Sequence, residues 1–171
     1  MNIANLLLIS LLPALVIAAA LKDLTSMTIP NWISGLLILG FIPAAWAGDL
    51  GFIQVVGHFA IGLAALLIGM GLFAARVIGG GDAKLMAASA LWLGMESAGV
   101  AALWIGVFGG LFCLILILAR QNLQLYAMGR DGWVGQLLEP KGDIPYGVAI
   151  AAGVLMAFPA SPIATAMTFM G

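Results

Sequence analysis

Residues 98–119 read AGVAALWIGVFGGLFCLILILA, an uninterrupted apolar run with no charged residue. Wound as a helix, this run is apolar on every face, whereas a strand of a transmembrane barrel alternates apolar and polar residues at period two. Its length meets the about 20 residues that a helix needs to cross a hydrocarbon core. The rest of the chain repeats the pattern. Cutting at the polar interruptions leaves six apolar stretches, 3–21, 32–47, 52–75, 83–95, 98–119 and 144–170. The prediction is an all-α, polytopic membrane protein with six transmembrane helices, forming one integral-membrane domain over residues 1–171.

Composition agrees with that reading. The 171 residues are 64% hydrophobic and 8% charged, against about 45–50% and about 25% in ordinary soluble domains. That much apolar surface excludes a soluble globular enzyme. A net charge of −1 provides no basic field for nucleic acid. With one cysteine, Cys113, and one histidine, His58, the chain lacks the three or more ligands of a zinc site, so neither a metal nor another cofactor is expected. Residues 3–21 carry Ala18-Ala19-Ala20 near their end, the small-residue pattern of a signal-peptide cleavage site, but no Lys or Arg precedes them. They read as a retained span.

The six basic residues orient the helices. Lys22 follows the first stretch, Arg76 and Lys84 flank the connection before the fourth, and Arg120, Arg130 and Lys141 lie in the connection before the sixth. Six spans place all of them on one side, leaving Asp49 and Glu96 on the other. The basic side is then the cytoplasm, with both termini on the non-cytoplasmic side. The connection 120–143 reads as a loop with an amphipathic piece near 123–126.

The stretch 83–95 makes only about 20 Å of helix against a core of about 30 Å. Part of what precedes it, Ile78-Gly79-Gly80-Gly81-Asp82, must therefore lie within the membrane, where irregular backbone needs protein cover or a water-filled cavity. Asp82 there and Asp23 at the end of the first span lie at similar depth on the same side. Packing the first helix beside the fourth brings the carboxylates together. Such a pair supports peptide hydrolysis, one ionised carboxylate taking a proton from water while the other, protonated, donates to the carbonyl oxygen. Gly79, Gly80 and Gly81 lack Cβ atoms, so the backbone can leave the helix and admit an extended substrate. Simpler roles are open for each residue: Asp82 as a helix cap, Asp23 as an interfacial partner of Lys22, Lys84 as a snorkelling lysine, and His58 and Cys113 as packing residues.

Three segments together resemble the type IV prepilin peptidase family. They are Asp23-Leu24-Thr25-Ser26-Met27-Thr28-Ile29-Pro30-Asn31, then Gly79-Gly80-Gly81-Asp82-Ala83-Lys84-Leu85, then Ile144-Pro145-Tyr146-Gly147-Val148-Ala149. Within the family, the small form serving the tight-adherence (Tad, or Cpa) pilus of bacteria is the nearest likeness. The resemblance implies a GxGD intramembrane aspartic endopeptidase of the bacterial inner membrane, embedded in membrane lipid. Its substrates would be Flp-type prepilins and pseudopilins, cut at the cytoplasmic face to remove a short basic leader. Asp23 and Asp82 would be the catalytic pair. Pro30 and Asn31 would start the second helix, with Pro30 in its first turn. Gly79, Gly81 and Lys84 would shape the site, and Pro145, Tyr146 and Gly147 would set the last helix beside it.

The chain departs from larger members in two respects. Met27 and Thr28 stand where many relatives carry basic residues before Ile-Pro. The connection 22–31 also has no room for the CxxC-bearing cytoplasmic domain of the bifunctional enzymes, so no methyltransferase function is expected. Four other readings fit the residues less well. A proton-coupled carrier relaying protons through Asp23 and Asp82 would need ionisable groups towards the outer side, where only Asp49 and Glu96 stand. A scaffold leaves the glycine run unexplained. Proteolysis of the presenilin or signal peptide peptidase kind fits the Ile-Pro-Asn element less well, and a Lys22–Ser26 dyad is weaker than the aspartate pair.

Overall fold

The computed structural model describes residues 3–127, 132–139 and 142–169, and these hold helices with no strand among them. The helices are α1 (Ile3–Ser26), α2 (Asn31–Ala47), α3 (Phe52–Ala74), α4 (Gly80–Ala127), α5 (Trp133–Leu137), α6 (Gly147–Ala157) and α7 (Pro162–Phe169), with a 3-10 turn at Phe158–Ala160. Three segments, Ile3–Ser26, Phe52–Ala74 and Gly80–Leu123, are long and apolar enough to cross a membrane. The pair Gly147–Ala160 and Pro162–Thr168, bent by 48°, adds a fourth if it is one span. The chain is a membrane protein. Arg130, Asp131 and Lys141 of the long connection lie outside the described residues, as do the side chains of 124–127.

Several boundaries differ from the sequence expectation for local reasons. α1 runs on to Ser26 because its polar end satisfies itself. Thr25 Oγ1 donates to Leu21 O and Ser26 Oγ to Lys22 O, each at 2.8 Å. Lys22 and Asp23 therefore ride the last turns of α1, and the link to α2 shortens to residues 27–30. Pro30 stands one position earlier than expected, as the residue capping α2, and Asn31 opens the helix. The long connection is also more helical than expected, since α4 continues to Ala127 and α5 follows it. The last apolar stretch is divided by Pro159 and Pro162, which have no N–H to carry a helix onward.

The largest difference lies within α4. The expected division between the fourth and fifth stretches falls at Glu96-Ser97, but the chain turns earlier, at Gly94, with φ 68° and ψ −178°. Only glycine adopts that region readily. The two halves of α4 fold back on each other there. Met86 and Leu93 share a cavity with Ala98 and Ile105, although a straight helix would hold residues 86 and 105 about 28 Å apart. The turn is supported from α3, where buried His58 places Nδ1 2.7 Å from Leu91 O. That carbonyl is among those left without a partner when the first half ends.

The first half of α4 is the centre of the bundle. α3 and α6 pack along α4, α2 lies on its first half, and α1 meets α6 far more than it meets α4. Close approach comes from small residues, as membrane helices require. Gly69 faces Ala83, Gly62 faces Ala87 and Leu91, and Gly153 faces Ile105. Leu12, Val16, Leu37, Phe41, Leu85, Trp92, Ile150 and Met167 fill the core, and the Trp92 indole N–H donates to Leu37 O at 2.7 Å. Outward faces stay apolar, with Leu7, Leu39, Leu63, Leu67, Leu103 and Leu114 exposed, as expected where lipid replaces water.

Candidate active site

Asp23 and Asp82 are both buried, each 6% exposed, and both line one cavity of about 480 Å³. Three segments complete its wall: Met27 after α1, Phe73 with 76–79 between α3 and α4, and 142–146 before α6.

Each carboxylate is held by one backbone amide. Gly79 N donates to Asp82 Oδ2 at 2.9 Å, a local bond with a simple origin. α4 begins at Gly80, so Gly79 is the capping residue and Asp82 the third residue of the helix, reaching back to the cap N–H as the acidic half of a capping box. This corrects the expectation that Asp82 itself caps the helix. It also changes the role of the glycine run, because Gly80 and Gly81 are helical rather than open to an extended strand. Their missing side chains make room: Gly80 faces the Phe73 ring, and a Cβ on Gly81 would come 3.0 Å from Ile29 Cβ.

Asp23 depends on a distant partner. Gly147 N, the first amide of α6, donates to Asp23 Oδ2 at 2.8 Å. The free N–H groups and dipole of a helix start favour a carboxylate there. A Cβ on Gly147 would come 2.8 Å from Asp23 Oδ2 and 3.1 Å from Ile29 Cδ1, so only glycine lets the backbone come this close. α6 thus packs on both α1 and α4 and places the two aspartates on one cavity, a role the sequence expectation assigned to direct packing of the first helix on the fourth. Asp82 Oδ1 is buried with no hydrogen-bond partner.

Among the other expected residues, Gly79, Pro145 and Tyr146 line the same cavity. The Tyr146 hydroxyl lies 3.5 Å from Cys113 Sγ on the second half of α4. Lys84 and Asn31 turn elsewhere. The Lys84 ammonium donates to Asn31 Oδ1 at 2.9 Å, and both line a separate groove. Ser26 Oγ is exposed, donates to Lys22 O at 2.8 Å and lies 3.2 Å from Thr28 Oγ1. His58 lies outside the aspartate cavity.

Sequence reasoning missed three residues here. Arg76 and Asp143 are exposed and line the cavity, adding one charge of each sign. Arg76 ends α3 with φ 59°. Val77 N bonds Leu72 O, and Arg76 N bonds Phe73 O, the Schellman pattern that usually takes glycine. Arg120 is buried, with Nε donating to Leu137 O at 3.0 Å and a terminal nitrogen to Asp143 O at 2.9 Å. It ties the segment before α6 to the end of α4. Its signal in the sequence is its position, a single cation closing a long apolar helix.

The model of the type IV leader peptidase family matches residues 10–130. The chain belongs to the type IV leader peptidase family. No curated protein and no solved structure matches it. The leader peptidase match spans Asp23, Asp82 and the Gly79–Asp82 cap, and ends before Tyr146 and Gly147. Membership makes the chain a protease of a family that acts on prepilins.

Proposed function

We propose that this leader peptidase is an intramembrane aspartic endopeptidase of the Tad or Cpa kind. It removes the leaders of Flp-type prepilins and pseudopilins at the cytoplasmic face of the bacterial inner membrane. The supporting observation is the paired burial of Asp23 and Asp82 on one cavity, each fixed through Oδ2 by an amide and one with a free Oδ1.

In this mechanism a water molecule sits between the carboxylates. The ionised partner removes its proton as the oxygen attacks the scissile carbonyl carbon, and the protonated partner donates to the carbonyl oxygen. Collapse of the tetrahedral intermediate breaks the C–N bond. The proton first taken from water passes to the leaving nitrogen, and the other carboxylate recovers its own. Burial excludes bulk water and strengthens each of these interactions. The exposed Asp143 offers a carboxylate to the basic residues of a leader lying across the mouth.

Six spans follow if α2 is a short span, the two halves of α4 are separate spans, and α6 with α7 is one bent span. The aspartate end then faces the cytoplasm with Arg76, Lys84 and Arg120, and the turns near Asp49 and Gly94 face outward. The test is co-expression with a Flp-type prepilin. Asp23→Asn and Asp82→Asn each lower cleavage by about 10²–10⁴-fold, the usual contribution of an acid–base group, as read by prepilin size on a gel. Asp49→Asn, at the opposite end, leaves cleavage unchanged. Full processing by either site variant would overturn the assignment.

A further inference from the structure

α2 and α3 are consecutive and joined by a short turn, yet both pack on α4 far more than on each other. They meet near that turn, where the Phe41 ring stands edge-on to Phe59 at 5.5 Å. From there they diverge towards the aspartate end and leave a groove of about 460 Å³, floored by Lys84, Ala88 and Leu91 and walled by Gly35 of α2 and Leu66 of α3. The groove is lined mainly by apolar side chains, Phe59 and Leu91 among them, with Lys84 and Asn31 at the aspartate end.

Lys84 is exposed and makes no ion pair among the described residues. Its ammonium has three N–H donors, of which Asn31 Oδ1 takes one. An occupant must therefore be apolar over the about 10 Å from Leu91 to Lys84 and anionic where it emerges. An acyl chain is thin enough, and a lipid phosphate carries the complementary charge.

We infer that this groove binds an anionic glycerophospholipid, with one acyl chain between α2 and α3 and the phosphate on the Lys84 ammonium and the Asn31 side-chain amide. The site lies across α4 from the aspartate cavity, and the two share no lining residue. Lys84 follows Asp82 by two positions, so the bound phosphate would rest against the same helix start that carries the carboxylate.

Native mass spectrometry of the full chain, released into mild detergent with equal amounts of phosphatidylglycerol and phosphatidylcholine, tests the assignment. The wild type retains phosphatidylglycerol about fivefold over phosphatidylcholine, the factor expected of one basic residue against an anionic lipid. Lys84→Gln brings the ratio to about one, and Lys84→Arg preserves the preference. A Cβ at Gly35 meets nothing within 4 Å, so Gly35→Phe fills the groove without disturbing the bundle and lowers retention of both lipids. Phosphatidylcholine on the same sample is the internal reference, and a monodisperse elution profile reports folding. A Lys84→Gln variant that keeps its preference, a Gly35→Phe variant that keeps full retention, or a photoreactive residue at position 35 that captures polypeptide instead of lipid overturns the inference. Lipid retention needs no substrate, so it stands or falls separately from proteolysis.

Discussion

Replacing Gly147 with alanine adds a single methyl group at the contact that holds Asp23. The new Cβ would lie 2.8 Å from Asp23 Oδ2 and 2.9 Å from Asp23 Cβ, where ordinary contacts begin at 3.4 Å. The deficit is about half an ångström, and because Asp23 Cβ is fixed to the α1 backbone, side-chain rotation alone cannot relieve it. Either α6 moves away from α1, or the carboxylate turns and gives up its 2.8 Å bond to Gly147 N. A 1 Å misplacement at a reacting centre costs about 10²-fold in rate, so half that distance predicts a fall of about tenfold in kcat. KM should change little, since Gly147 is not among the residues lining the cavity. Steady-state cleavage of a detergent-solubilised prepilin separates the two parameters. Gly81→Ala, with its Cβ 3.0 Å from Ile29 Cβ, should show a smaller loss, while Gly109→Ala at 3.6 Å from Tyr146 and Gly99→Ala in open space should show none. A Gly147→Ala enzyme whose kcat stays within twofold of wild type, with the control variants behaving as stated, would refute the role given to α6.

Arg120→Met removes both bonds to the segment before α6 and should cost about 2 kcal/mol or more, read by thermal unfolding in detergent and by faster protease nicking between residues 132 and 142. Arg120→Lys falls between, because an ammonium cannot fork to two carbonyls as a guanidinium does. His58→Ala leaves Leu91 O without its partner at the Gly94 turn and should lower stability by about 1–3 kcal/mol. Prepilin cleavage should stay normal at temperatures where that variant is folded, and unchanged stability would remove His58 from the turn. Asp143→Asn should raise KM for a leader with basic residues by about two- to fivefold, the scale of an exposed ion pair, with kcat unchanged. Added salt should shrink that difference.

The helical architecture was legible because the apolar runs are long and nearly free of charge, and in lipid that composition leaves few alternatives. Asp23 and Asp82 stood out for the same reason. Their means of assembly was hidden. The bond from Gly147 N to Asp23 spans 124 residues, and neither hydropathy nor charge marks a backbone amide. The turn at Gly94 was equally quiet, since glycine is frequent in membrane helices and the polar pair Glu96-Ser97 nearby drew the boundary to itself. The glycine run misled in the opposite direction. Three consecutive glycines suggest open backbone, but here Gly80 and Gly81 make room for Phe73 and Ile29 around an ordinary helix start. Arg120 reads as a loop cation in the sequence because its partners are carbonyls, which carry no sequence signature.

The two amide bonds at the carboxylates differ in when they can form. Asp82 meets the N–H of Gly79 three residues away as soon as α4 starts, whereas Asp23 must wait for the first amide of α6, made 124 residues later. A growing chain thus carries both aspartates well before the amide that fixes Asp23 has been made. On the function proposed for the pair, cutting ability arrives only with α6, and a nascent chain arrested before it carries both carboxylates and stays inert.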